Sequence, residues 1–277
     1  MKLPLRIAIL MCDSPMHLTA ERYGSYGGVF RALLEKSSES LKDEIPGIEN
    51  GLKLTSWNVY QVEEYPKLED IDAILITGSS KMSFVFLTAE LIKYVTEYTA
   101  HDDSPWILKL VDFTKTVLAQ DRVRIIGVCF GHQILGRSLG LPVGRNEIGI
   151  GWEISVTPMS LTPSGQRLFK SNLKPNMLSL MQMHRDIVKV EGAALPDSIE
   201  SLGSTELCEL QGMYKKGRFI SVQGHPEFTP NIVGEIVRVR TEMGIFTKEM
   251  HDDAMNRLWD GHDGIAVGCA FLRFLIE

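Results

Sequence analysis

The stretch RIIGVCFGHQILGRSLG (Arg124–Gly140) constrains this chain more than any other. Its opening, Arg124–Val128, is a short apolar run and predicts a buried strand. Gly131–Leu139 carries a helical pattern. Between them stands Gly127-Val128-Cys129-Phe130-Gly131, so the chain passes from strand to helix around a cysteine. A turn this tight excludes side chains on both sides, and two glycines leave that room. The pattern is a G-x-nucleophile-x-G elbow. It sets Cys129 at the end of a strand and the start of a helix, where the helix dipole favours thiolate over thiol. The backbone N–H of Phe130 then points toward an oxyanion forming beside Cys129. The alternative is a buried, inert cysteine.

The surrounding pattern predicts an α/β fold. Candidate strands are Arg6–Met11, Lys53–Tyr60, Asp72–Thr77, Arg124–Val128, Trp152–Pro158, Met177–His184, Leu207–Tyr214 and Arg218–Gln223. Helical patterns cover Val29–Leu41, Ala89–Tyr98, Trp106–Ala119 and Gly131–Leu139. The first half reads β-α-β-β-α-β-α, which favours a mostly parallel central sheet between helical layers. The second half, Gly149–Gln223, is richer in strands and reads as antiparallel pieces added to the sheet edge. Pro230–Glu277 reads as helical, with Ala266–Ile276 docking on the core. No repeat or linker divides the 277 residues, so one domain is expected, with its motifs within about residues 6–228 and a helical part at about 230–277.

A cysteine nucleophile needs a base. Of seven histidines, His225 stands out, in FISVQGHPEF. It follows the strand Arg218–Gln223, so it too lies at a strand end. Glu227 is two residues on, on the same side of a locally extended chain, and Pro226 restrains His225 toward extension. Glu227 can then accept from the ring, set its tautomer and stabilise the imidazolium, which makes a Cys129-His225-Glu227 triad. A turn histidine beside a proline is the alternative. Strand Asp72–Thr77 ends in Thr77-Gly78-Ser79-Ser80. A glycine there lets the backbone come close to a ligand, so the Gly78 and Phe130 N–H groups together can form an oxyanion hole. Ser79 and His184, the latter ending the strand in MQMHRD, are candidate pocket residues. His132 is expected to pack or hydrogen-bond locally. His101, His251 and His262 stand beside aspartates without compact ligand spacing, so no metal is expected. Gly24-Ser25-Tyr26-Gly27-Gly28 lacks a dinucleotide fingerprint or a phosphate-loop lysine, so no nucleotide cofactor is expected either.

Composition narrows the function classes. A net charge of −6 without basic patches argues against nucleic-acid binding. The longest apolar candidate, Gly264–Leu272, stops at Arg273, well short of a membrane span. The start, MKLPLRIAILMCDSP, is too short and too charged in its apolar part for a signal peptide. Four scattered cysteines (Cys12, Cys129, Cys208, Cys269) form no framework and read as reduced thiols. Together these predict a cytosolic or nucleocytoplasmic protein.

GVCFGHQ, followed downstream by GHPEF and preceded by ITGSS, resembles the class I (triad) glutamine amidotransferases over about Arg6 to Phe228. That resemblance implies a three-layer α/β sandwich and a cysteine that attacks a γ-glutamyl carboxamide to form a thioester. It implies Cys129 as nucleophile, His225 as base, Glu227 as its orienter, Gly78 and Phe130 as oxyanion donors, and Gln133 as a contact to the γ-glutamyl moiety. ITGSS, GVCFGHQILGR, LPVGR and VQGHPEF also resemble stand-alone members such as plant γ-glutamyl peptidases and fungal amidotransferase-like proteins, as does YGSYGGVF near the start.

The implied ligand is a small γ-glutamyl compound, either glutamine or a γ-glutamyl peptide of the glutathione type. No synthetase domain is legible, so either a synthetase partner consumes the ammonia or the bond is simply hydrolysed. Three rivals are weighed beside this. A folate γ-glutamyl hydrolase is normally secreted. The single-cysteine chaperone and glyoxalase family usually has a histidine where Phe130 stands. A catalytically latent subunit of the same fold does not need the intact Cys129, His225 and Glu227.

Overall fold

The computed structural model describes residues 2–79, 82–86, 92–97, 99–149, 151–170, 176–190, 195–196 and 198–277, with 82–86 and 92–97 described by their backbone. The strands are β1 Leu5–Met11, β2 Leu52–Asn58, β3 Ala73–Ile76, β4 Met82–Phe86, β5 Ile92–Glu97, β6 Arg124–Val128 and β7 Val143–Arg145. They continue as β8 Glu153–Leu161, β9 Met177–His184, β10 Asp186–Val188, β11 Glu200–Ser201, β12 Gly203–Ser204, β13 Gly212–Lys215 and β14 Phe219–Val222. The helices are α1 His17–Tyr23, α2 Tyr26–Leu41, α3 Pro105–Leu118, α4 Phe130–Ser138, α5 Pro163–Phe169, α6 Pro230–Glu242, α7 Lys248–Asn256 and α8 Gly264–Ile276.

A seven-stranded sheet in the order β11-β13-β14-β6-β3-β1-β2 forms the centre. From β14 to β2 its pairs are parallel, and β13 and β11 extend it antiparallel. The inner strands are apolar on both faces because both faces are covered. Ile7, Ile9, Leu75, Ile126 and Val128 pack under Phe30, Leu33, Leu34, Phe271 and Phe274 of α2 and α8. The alternate residues Ala8, Leu10, Ile74, Ile76 and Ile125 pack against Trp106, Ile107, Leu110, Phe130 and Ile134 of α3 and α4. The two covering helices on the first face meet closely: a Cβ on Gly268 would lie 2.1 Å from Ser37 Oγ.

The antiparallel strands of the second half divide in two. β11 and β13 join the central sheet as expected, whereas β8, β9 and β12 form a sheet of their own. Both of its faces are buried. Met159, Leu161, Leu178 and Leu180 join the core beneath α2 and α8. Trp152, Ile154, Val156, Met181 and Met183 pack with Ile232, Val233, Ile236 and Val237 of α6. A layer with a core on each side cannot be a simple edge extension.

Two expected elements are corrected. The helix expected over Ala89–Tyr98 is overturned by β5, which pairs antiparallel with β4 in the register Met82↔Glu97 to Phe86↔Ile92; residues 89–91 and 98 of that range lie outside the described ones. The segment IKYVTE is rich in β-branched and aromatic residues, which favour a pleated surface over a helix. The strand expected over Leu207–Tyr214 exists only from Gly212 onward. Before it the chain turns: Thr205 N donates to Cys208 O at 2.9 Å and Cys208 N to Thr205 Oγ1 at 3.0 Å. A threonine hydroxyl that satisfies a nearby N–H favours such a turn over a ladder.

Candidate active site

The carboxyl ends of three neighbouring strands, β3, β6 and β14, converge. Ile76 pairs with Gly127, and Val222 with Val128. Thr77-Gly78, Cys129 and Gln223 therefore emerge side by side, in the crevice where open α/β sheets bind ligands. Cys129 N donates to Val222 O at 2.9 Å, which fixes the end of β6 to β14.

Cys129 is the N-cap of α4 and takes φ 52° and ψ −105°. A non-glycine residue at positive φ is strained and persists only where its surroundings hold it. The flanking glycines explain how the turn is held. A Cβ on Gly131 would sit 2.2 Å from Ile76 O, and one on Gly127 would sit 2.8 Å from Gly131 O. Phe130 opens α4, so its N–H has no acceptor within the helix. Its ring stacks on Trp106 at 5.6 Å.

His225 is held from several sides. Its backbone N–H donates to Met181 O of β9 at 2.8 Å, a bridge from β9 to this loop. Its Nδ1 lies 2.8 Å from Glu227 Oε1, and both side chains are buried. The expected extended chain is not how this pair forms. Residues 225–228 make a turn in which Phe228 N approaches His225 O at 3.4 Å. Pro226, with its fixed φ, suits the second position of such a turn. Phe228 stacks on the imidazole at 3.9 Å and 7°, and Tyr26 of α2 stacks behind Phe228 at 6.4 Å. Gly78 backs the same ring: a Cβ there would lie 2.7 Å from His225 Cε1 and 3.6 Å from Cys129 Cβ. Burial works against a charge on His225. The neighbouring Cys129 sulfur and the Glu227 carboxylate outweigh it, and the pKa is pushed up to about 10. With Nδ1 engaged by Glu227, Nε2 is the nitrogen left for Cys129.

A small cleft opens beside Cys129. Cys129, Phe130, Ser79, Gln133 and His184 all line it, so the structure brings these sequence-predicted residues to one place. His184 Nε2 is 3.1 Å from Glu153 Oε2, and its Nδ1 is 3.2 Å from Asp186 O. Burial opposes ionisation of Glu153. The histidine's hydrogen bond and charge, with Thr205 and Gln211, outweigh it and hold the carboxyl below its usual range. Ser80 lies outside the described residues. His132 stands apart from the cleft, with its Nδ1 2.9 Å from Ser221 Oγ. Among the described residues no group of three or more His, Cys, Asp or Glu is arranged to hold a metal ion.

The cleft also has a wall that the sequence reading did not single out: Arg145, Arg185, Arg240 and Trp152. The Arg185 and Arg240 guanidiniums lie 5.1 and 5.0 Å from the Trp152 ring centroid. Arg145 pairs with Asp186 at 3.2 Å. Arg240 had a readable signal. It follows Val233, Ile236 and Val237 at helical spacing, so it continues the apolar stripe of α6 and is only 1% exposed. A charge inside an apolar stripe marks a polar demand in the core.

Comparison with known proteins identifies the family. Residues 107–237 match the family model for glutamine amidotransferase class-I. A glutamine amidotransferase-like protein of Schizosaccharomyces pombe is 34% identical over 276 residues, covering 98% of each chain. Gamma-glutamyl peptidase 3 of Arabidopsis thaliana is 24% identical over 261 residues, covering 91% of this chain and 89% of its own. The crystal structure of a glutamine amidotransferase from Thermotoga maritima superposes with a TM-score of 0.62 at 15% identity, covering all of both chains, and shares the fold. On its motifs, its fold and its full-length likeness to the fission-yeast protein, the chain belongs to the class I glutamine amidotransferase family.

Proposed function

We propose that this protein hydrolyses a γ-glutamyl C–N bond through a thioester on Cys129. One observation carries the reading: a cysteine on a strained elbow shares a buried site with a histidine that is hydrogen-bonded to a glutamate. Cys129 Sγ attacks the γ-carbonyl carbon of the substrate. The thiol proton already rests on His225 Nε2, whose imidazolium Glu227 stabilises, so the sulfur attacks as a thiolate. The carbonyl oxygen becomes an oxyanion, held by the N–H groups of Phe130 and Gly78. His225 returns the proton to the leaving nitrogen as the C–N bond breaks and the thioester forms. Water, deprotonated by His225, then attacks the thioester. The C–S bond breaks, glutamate leaves, and the sulfur is left paired with the imidazolium of His225, as at the start. Ser79, Gln133 and His184 line the substrate cleft.

The arginine wall favours one class of leaving group. Ammonia from glutamine is small and gains nothing from guanidiniums. A peptide leaving group with a carboxylate matches Arg145, Arg185 and Arg240, and Trp152 offers it an apolar face. A γ-glutamyl peptide of the glutathione type is therefore the preferred substrate class. The purified protein, offered glutathione and glutamine in parallel, is expected to yield glutamate with the Cys-Gly dipeptide and little ammonia. Cys129→Ala, folded as the parent, is expected to lose about 10⁵–10⁶-fold of that activity. Ammonia from glutamine instead would point to a synthetase partner that consumes it. No product from either substrate would contradict the reading.

A further inference from the structure

The amide of Gln223 ends the strand β14 side of the crevice and is fully buried, yet the triad does not use it. Its Nε2 is 3.6 Å from Cys129 Sγ. Its Oε1 is 3.2 Å from Gln133 Nε2, which also donates to Asp186 O at 2.7 Å. The chain of bonds fixes its own direction. A backbone carbonyl can only accept, so Gln133 must turn its NH₂ toward Asp186. That same NH₂ then meets Gln223, which must present its oxygen. The NH₂ of Gln223 is left facing the sulfur. Its backbone is pinned as well, with Gln223 N donating to Gln211 O at 2.9 Å.

We infer that Gln223 is a positioning residue for the nucleophile: it donates a hydrogen bond to the Cys129 sulfur and is itself held by Gln133. The inference rests on the reading of Cys129 as nucleophile and deepens it. A thiolate in a buried site gains from a donor that brings no charge of its own. A neutral amide supplies this without competing with His225 for the proton. It also fixes the direction in which the Cys129 side chain points from its strained backbone. Both hydrogens of Gln133 Nε2 are committed to Asp186 and Gln223, so Gln133 has only its Oε1, an acceptor, to offer a ligand. A ligand bound there would be linked to the sulfur through one side chain.

The test is the pH dependence of Cys129 alkylation by iodoacetamide without substrate, followed by peptide mass spectrometry, in the parent and in Gln223→Glu and Gln223→Met. Both variants keep the shape of the side chain; Gln223→Met loses the donor outright, and an ionised Gln223→Glu replaces it with a negative charge. The expected result is a rate–pH curve whose midpoint moves upward by about one pH unit, more for Gln223→Glu than for Gln223→Met. With a γ-glutamyl peptide, kcat is expected to fall while KM changes little. Should neither variant fold, Gln133→Met, which removes the anchor, is expected to shift the midpoint in the same direction by less. An unmoved midpoint in folded variants, even with lowered thermal stability, would overturn the positioning role and leave the triad reading intact. A parent Cys129 that reacts no faster than Cys12, Cys208 or Cys269 would remove both.

Discussion

At the scale of single residues, the site depends on how His225 is kept charged. Burial alone would strip the proton from its ring, and only the Cys129 sulfur and the Glu227 carboxylate keep it there. Because the folded-state pKa is raised, the imidazolium persists through neutral pH and is lost as pH climbs toward about 10. Glu227→Gln keeps the hydrogen bond and removes the charge. It is expected to lower kcat/KM by on the order of 10³–10⁴-fold, less than loss of the nucleophile. The alkaline limb of the pH–rate profile should move to lower pH. A profile with an unmoved limb would mean that Glu227 does not set the proton affinity of His225. That Cys129, His225 and Glu227 come together was legible in the sequence because its signals are local: glycines flank the cysteine, and the histidine and glutamate are near neighbours, although a turn and not an extended chain joins that pair. Arg145, Arg185, Trp152 and Gln223 were not. Each acts through neighbours far along the chain, and only the folded sheet brings them together.

At the scale of elements, the turn from β6 into α4 is the critical joint. The Gly131 backbone runs so close to β3 that a methyl group would lie 2.2 Å from a backbone oxygen, which no side-chain rotation can relieve. Gly131→Ala is expected to cost about 3 kcal/mol of stability in urea unfolding, near the upper end for overpacking. A loss below about 1 kcal/mol would mean that the joint yields. The inner strands and the helices α2, α3, α4 and α8 were readable because burial on both sheet faces writes continuous apolar runs, and cover on one side writes a stripe. β5 was misread as a helix because a short apolar segment fits both periods, and its pairing with β4 decides between them. The separate β8–β9–β12 sheet was unreadable for a related reason: alternation tells which residues are buried, and not which sheet a strand joins.

At the scale of the whole molecule, a second buried histidine couples folding to pH. His132 lies beneath the elbow on α4, fully buried. Burial above all, with a smaller contribution from the charge of His184, pushes its pKa down to about 3. An unfolded chain takes up that proton near pH 6.5, whereas the folded one resists it. The stability tied to neutral His132 is thus present above about pH 6.5 and drains away as pH falls toward 3. Between pH 7 and 5 the protein is expected to lose about 1–2 kcal/mol through this group. His132→Asn, which keeps a polar atom near Ser221, should be less stable at neutral pH and lose less on acidification. Equal losses in both proteins would assign the acid sensitivity elsewhere.

The central claim is covalent and can be tested as such. The parent protein, mixed with a γ-glutamyl peptide and quenched in acid before turnover completes, should carry a γ-glutamyl group on the peptide containing Cys129. That adduct should be absent from Cys129→Ala and should accumulate when Glu227→Gln slows its hydrolysis. Product formation by the parent with no adduct on Cys129, or with the group found on another residue, would contradict the account.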